Sequence, residues 1–396
     1  MDQPRIILHK GKERSLLLFH PWVFSGAVNK LPKGLTEGDI VEVWSADEKY
    51  LGTGHFHKGT IITRILTFEN EIIDEDFWFR KIKKAFLLRK VLGFIENPAT
   101  NVYRLIHGEG DGLPGLIIDI YNDTAIMQAH TIGISRHRKD IANALEKVYG
   151  EQIKSIYDKS AESLHKQNYE GVANEYLLNT YNQTGNSLVE EYGFKFNIDY
   201  KEGQKTGFFI DQRENRKLLS QYSSEKKVLN TFCYTGGFSV YALGAGASLV
   251  HSVDSSKKAI AETDKNILLN FTNAPHKSYA EDVFDFFKKS DQVYDVIVLD
   301  PPAFAKNIGA IKNAMVGYRN LNLEAFKRIN KGGVLFTFSC SQAVDKELFR
   351  KLVFQAAAQS KRNVQILHQL SQPPDHPINI YHPEGEYLKG LVLFVE

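Results

Sequence analysis

The chain has 396 residues, with 49 Lys and Arg against 47 Asp and Glu for a formal charge of +2, and 43% of its residues are hydrophobic. At roughly 150 residues per domain this implies two or three globular domains and excludes a disordered, collagen-like or disulfide-framework chain. Cys233 and Cys340 lie far apart with no CxxC pair, which argues against a metal site, and no apolar run approaches the ~18 residues of a membrane span, so neither metal nor membrane is expected as a partner.

The start, MDQPRIILHKGKER, has no signal-peptide core, and a cytoplasmic location is the expectation. Residues 1–72 read as short strands between turns, with Ile40, Val41 and Val43 followed by Gly52 and Gly54, the pattern of a small β-barrel. Residues 73–187 open with DEDFWFRKIKKAFLLRK. Trp78, Ile82, Ala85 and Phe86 recur there at helical spacing, acids stand at the start, and Arg89 and Lys90 stand at the end. Six basic residues and no acid fall between Arg80 and Lys90, either as a phosphate-facing strip or as a solvated face. Strand-like runs then surround GEGDGLPG, residues 108–115, which suits a tight turn, so this part reads as a small α+β domain. Residues 188–396 alternate buried strand-length runs (VLNTF, LVHSVD, YDVIVLD, GVLFTFSC) with helical spans, as in a doubly wound, mostly parallel Rossmann-like sheet. The expected fold class is therefore multidomain α/β.

VLNTFCYTGGFSVYALGAGASLVHSVD reads as strand, loop, helix and strand ending in an acid. Gly236 and Gly237 let backbone amides approach a ligand where a Cβ would intrude, and Asp254, 18 residues after Gly236, falls where an acid meets a ribose hydroxyl pair. The turn lacks the G-x-G-x-x-G that a dinucleotide pyrophosphate favours, which argues against NAD(P) and suits the amino-acid tail of S-adenosylmethionine. Phe232, Tyr234 and Thr235 stand in the same turn, and the acidic pair Glu281-Asp282 falls where an adenine amine is commonly held. Cys233, inside the loop, is expected to pack.

Asp300-Pro301-Pro302 ends another apolar strand. Two prolines make a rigid loop, and Phe304 offers a face on which a nucleobase could stack. Cys340 ends a further strand, so it should share a crevice with Asp300 and Gly236. Carbon 5 of a pyrimidine is too weakly nucleophilic to take a methyl group unaided. A thiolate adding to carbon 6 activates it, and Cys340 is the candidate nucleophile, with Asp300 placed to contact the exocyclic amine of cytosine.

Together TFCYTGGFS, VDSS, VLDPPAF, SCSQ and YHPEGEYLKG resemble the RlmI-type 23S ribosomal RNA cytosine-carbon-5 methyltransferases over the whole chain. The resemblance implies a PUA RNA-binding domain, a central α+β domain and a class I methyltransferase domain, with large-subunit ribosomal RNA as partner. It also implies Cys340 as nucleophile and donor contacts near Phe232, Tyr234, Gly236, Gly237, Asp254, Asp282 and Asp300. KEGQKTGFFIDQRENR, residues 201–216, matches a segment that packs over the donor, which adds Thr206 and Arg213; from chemistry alone it reads equally well as the start of a helix at the domain's edge. Ala303 and Phe304 leave no second cysteine in the DPP loop, so product release would rely on another base. A base-nitrogen RNA methyltransferase, an NAD(P)-dependent oxidoreductase and a catalytically silent RNA-binding factor stand as alternatives, and a homodimer is left open.

Overall fold

The computed structural model describes residues 3–304, 309 and 311–396, which divide into two compact units. The first comprises residues 1–190, 198–208 and 374–385, and the second residues 191–197, 209–373 and 386–396.

The first unit holds two sheets. One is six-stranded, in the order Trp22–Phe24, Ile61–Thr67, Tyr50–Phe56, Ile40–Trp44, Arg5–Leu8, Val28–Lys30. Alternation along its strands turns Ile6, Leu8, Val41, Val43 and Ile65 into a small core. The other sheet has five strands, ordered Glu175–Asn179, Ser155–Asp158, Thr124–Ala129, Leu116–Tyr121, Val102–His107. The helix Glu75–Val91 packs its Trp78, Ile82 and Ala85 into the core that this sheet shares. Asp74 caps that helix by accepting the Phe77 N–H at 2.9 Å.

The basic strip expected on this helix is shorter than its sequence suggests. Arg89 is 0% exposed: Nη2 donates at 2.8 Å to both Asp111 and the Asp375 carbonyl, Nε donates to the Arg104 carbonyl at 2.8 Å, and Nη1 reaches the second Asp111 oxygen. Lys81 also turns inward, donating to the Leu66 carbonyl at 2.7 Å. Lys83, Lys84 and Lys90 remain exposed. The glycine-rich segment 108–115 closes over Arg89 by supplying Asp111. A Cβ on Gly110 would stand 1.9 Å from the Pro377 carbonyl oxygen, so only glycine fits there.

The second unit is built on a seven-stranded sheet: β1 (Lys227–Thr231), β2 (Leu249–Asp254), β3 (His276–Ala280), β4 (Tyr294–Leu299), β5 (Ile329–Ser339), β6 (Val364–Leu370) and β7 (Lys389–Val395). Its order is β3-β2-β1-β4-β5-β7-β6, parallel from β3 to β5, with β7 antiparallel to both neighbours. The helices are α1 (Arg213–Ser220), α2 (Gly237–Gly244), α3 (Lys257–Asn270), α4 (Val283–Lys289), α5 (Ile311–Arg328) and α6 (Lys346–Ser360). Leu229, Val253, Ile297, Leu299 and Leu335 are fully buried, as parallel strands covered on both faces require. The strand order reverses at β1, which opens a crevice at the carboxyl ends of β1, β2 and β4. Among the described residues no helix is long and apolar enough to cross a membrane.

Candidate active site

The turn after β1 is held in an uncommon backbone conformation. Phe232, Tyr234 and Gly236 have φ of 54°, 48° and 81°, and two non-glycine residues in the left-handed region cost on the order of 1 kcal/mol or more each. Side chains from β2 and α3 hold the turn in place. Asp254 accepts the Tyr234 N–H at 3.0 Å on one oxygen and the Ser256 N–H at 2.9 Å on the other. Thr263 donates to the Tyr234 carbonyl at 2.8 Å and Asn266 to the Thr235 carbonyl at 3.0 Å. A Cβ on Gly236 would lie 2.7 Å from the Thr263 methyl, so glycine is required both by φ and by space. Gly237 opens α2, and a Cβ there would lie 2.9 Å from Arg216 Cδ.

Cys233 is sealed into this turn, its Sγ 3.7 Å from Thr263 Oγ1. Burial, with the Asp254 charge adding to it, pushes the thiol well above its ordinary value, so Cys233 packs as expected and forms no thiolate at neutral pH. After β3, exposed Asp282 caps α4, one oxygen accepting the Phe284 and Asp285 amides at 2.9 and 3.2 Å.

The reacting side is built from the ends of β4 and β5. Their parallel pairing sets Leu299 opposite Thr337, so Asp300 and Cys340 emerge at the same edge. Cys340 is half-buried, its Sγ 4.0 Å from the Pro301 carbonyl oxygen. Pro301 is buried and Pro302 exposed. Phe304 is only partly exposed, its ring centred 4.8 Å from that of Tyr318 on α5. Ser339 donates to the Tyr318 hydroxyl at 3.0 Å, and burial raises the pKa of that phenol, which therefore stays neutral.

The structure thus gathers Phe232, Tyr234, Thr235, Gly236, Gly237, Asp254, Asp282, Asp300, Pro301, Pro302, Phe304 and Cys340 at one edge of one sheet. Arg213, fully buried at the start of α1, approaches Glu214 at 3.4 Å, while its neighbour Arg216 forms a two-pronged pair with Glu191 at 2.8 Å. Thr206 belongs to the other unit, where it donates to Asp119 at 2.7 Å and accepts from the Tyr121 hydroxyl at 2.9 Å.

Two groups at the site escaped the sequence reading. Gln212 donates to Asp300 Oδ1 at 3.0 Å and is itself fixed by Asn215 at 2.6 Å, a relay that orients the carboxylate. It sits inside the FFIDQRENR segment that the sequence singled out. Lys389, at the head of β7, lies in the YHPEGEYLKG segment that the sequence singled out, but its place depends on pairing with a strand fifty residues earlier: Ser339 faces Lys389.

Metal-ligating side chains meet elsewhere. In the first unit His20 Nε2 and His382 Nε2 lie 3.5 and 3.7 Å from one Glu384 oxygen. His20 Nδ1 accepts the Trp22 amide at 3.2 Å, which puts the ring proton on Nε2 facing the carboxylate rather than a cation.

Comparison with known proteins agrees with this geometry. Residues 145–391 match the family described as S-adenosylmethionine-dependent methyltransferase, and residues 6–68 match a PUA-like domain. The ribosomal RNA large subunit methyltransferase I of Aeromonas hydrophila is 41% identical and that of Pseudoalteromonas atlantica 38% identical, each over 98% of this chain and 98% of the relative. The solved structure of SMU.776 complexed with SAH shares the fold, with a TM-score of 0.85 at 23% identity over 99% of this chain and all of that one.

Proposed function

The chain belongs to the family of ribosomal RNA large subunit methyltransferases I, and from that premise we propose that it moves a methyl group from S-adenosylmethionine to carbon 5 of a cytosine in large-subunit (23S) ribosomal RNA, through a transient bond to Cys340. The donor chemistry of the crevice suits S-adenosylmethionine. Carboxylates stand at or just past the ends of β2, β3 and β4, Asp254 for the ribose hydroxyls, Asp282 for the adenine amine and Asp300 toward the reacting centre. Each carboxylate oxygen already holding one N–H keeps a second lone pair for a ligand. In this reading the amino-acid tail lies along the Gly236–Gly237 turn, with Phe232, Tyr234 and Thr235, and the Arg213 guanidinium is the complement to its carboxylate. Thr206, engaged with Asp119 and Tyr121, has no part in this reading.

When bound, S-adenosylmethionine supplies an electrophilic methyl group on sulfur. The Cys340 thiolate forms a bond to carbon 6, and the electron pair of the carbon 5–carbon 6 double bond moves to carbon 5, which takes the methyl. Removal of the carbon-5 proton by a base restores the double bond and expels the thiolate, leaving the enzyme unchanged. Asp300, held by Gln212, contacts the exocyclic amine and favours cytosine over uracil. The rigid prolines fix where the ring sits. The target must leave its stack to reach this crevice, which favours a loop, a bulge or unassembled RNA. The work belongs to the cytoplasm, where that RNA is made.

The observation that carries the reading is the contrast between the two thiols: Cys233 is sealed, whereas Cys340 is half-exposed beside Asp300 and Pro301. Ribosomal RNA from a strain lacking the gene, incubated with the wild type or with Cys340→Ala, should yield 5-methylcytidine by nucleoside mass spectrometry with the wild type alone. A methylated product formed equally by Cys340→Ala, or one methylated on a ring nitrogen, would overturn it.

A further inference from the structure

We infer that Lys389 is a positioning residue that holds the Cys340 sulfur as a thiolate, an inference that rests on the nucleophile assignment above. β7 joins β5 antiparallel with Lys389 opposite Ser339, and the Lys389 side chain runs back along the strand end to donate to the Ser341 carbonyl at 2.6 Å. Lys389 therefore grips both residues that flank Cys340, one through the sheet and one through its ammonium. It is only 5% exposed.

A buried ammonium is costly unless an anion accompanies it. Among the described residues no carboxylate lies within 4.0 Å of Lys389, and the acids nearest in the fold are committed elsewhere. Asp345 caps α6 by accepting the Leu348 amide at 2.7 Å, and Glu386 pairs with Lys346. From α5 the group beside Cys340 is Tyr318, which bonds Ser339 and stays neutral, and from the end of β4 it is Asp300, whose carboxylate accepts from Gln212. Burial lowers the pKa of Lys389, and the strongest opposing influence is negative charge on Cys340, ahead of Glu386 and Asp345. The anion we assign to this ammonium is the thiolate of Cys340, the residue between the two that Lys389 holds, Ser339 across the sheet and Ser341 at its ammonium. The benefit is mutual, since a cation beside a cysteine lowers its pKa and raises the fraction of nucleophile at neutral pH.

The test is the pH dependence of Cys340 alkylation by iodoacetamide, read peptide by peptide by mass spectrometry, in the wild type, Lys389→Met and Lys389→Gln. Glutamine keeps a donor for the Ser341 carbonyl but no charge, and methionine keeps neither. The sealed Cys233 must stay unmodified in all three, which reports an intact fold. The expected result is a wild-type midpoint below the ordinary ~8.5 of a free thiol, rising by about one pH unit or more in both variants. An unchanged midpoint in the glutamine variant overturns the inference, whether or not methionine shifts it, because the ammonium's charge would then have no effect. An ordinary wild-type midpoint overturns it as well. The measurement needs neither RNA nor methyl donor, so it fails or succeeds apart from the Cys340→Ala methylation assay.

Discussion

Cys233 and Cys340 each follow a buried strand. The first is folded under α3 by Thr263 and Asn266, while the second stands at an open edge beside a proline loop. Cys340→Ala is expected to lower methyl transfer on the order of a thousandfold or more, since a nucleophile and its partners act as a unit. Cys233→Ala should keep kcat close to that of the wild type and lose only some thermal stability. Gln212→Ala removes one donor from Asp300 and is expected to reduce kcat on the order of 10- to 100-fold, with the pH optimum unmoved. An unchanged kcat would remove Gln212 from the positioning set. The sequence showed the strand-end acids and both thiols plainly, because each ends a run of apolar residues. It could not show Gln212 or Lys389, whose roles depend on which carboxylate or carbonyl lies opposite in space.

The helix Glu75–Val91 shows why charge in sequence is not charge at the surface. Arg89 reads as a solvated helix end, yet it is the hub of a buried network with Asp111 and the carbonyls of Arg104 and Asp375. Arg89→Ala leaves the Asp111 charge buried and unpaired and should cost roughly 3–5 kcal/mol of stability by denaturant titration. Exposed Lys83, Lys84 and Lys90 are the surviving candidates for phosphate contact. Reversing their charge should weaken RNA binding more than matched reversals on another surface, and equal losses would reject that role. Burial lowers the Lys81 pKa to about 8. Its unfolded value is higher, so burying it favours the folded state fully only above about 10.5, and that contribution is lost as pH falls through about 8. Relative to Lys81→Met, wild-type stability is therefore expected to rise between pH 8 and about 10, and parallel pH profiles would contradict this.

At the scale of the whole molecule, alternating strands and helices from residue 228 to 340 were enough to indicate a parallel sheet with its site at the carboxyl ends. The last strand, β7, inserts antiparallel between β5 and β6, and no local pattern in KGLVLFV dictates that register. Yet this insertion is what sets Lys389 opposite Ser339 and on the Ser341 carbonyl, on either side of Cys340. The near-balanced charge of +2 means that affinity for RNA must come from local basic surface, so binding should weaken steeply as salt rises. The most direct test of the central claim uses ribosomal RNA carrying 5-fluorocytosine, which accepts the methyl but has no carbon-5 proton to lose, so the bond to sulfur cannot be released. With S-adenosylmethionine present, a denaturant-stable protein–RNA adduct should form, and its mass should map to the peptide containing Cys340. Methylation proceeding without any adduct, or an adduct retained in Cys340→Ala, would contradict the account.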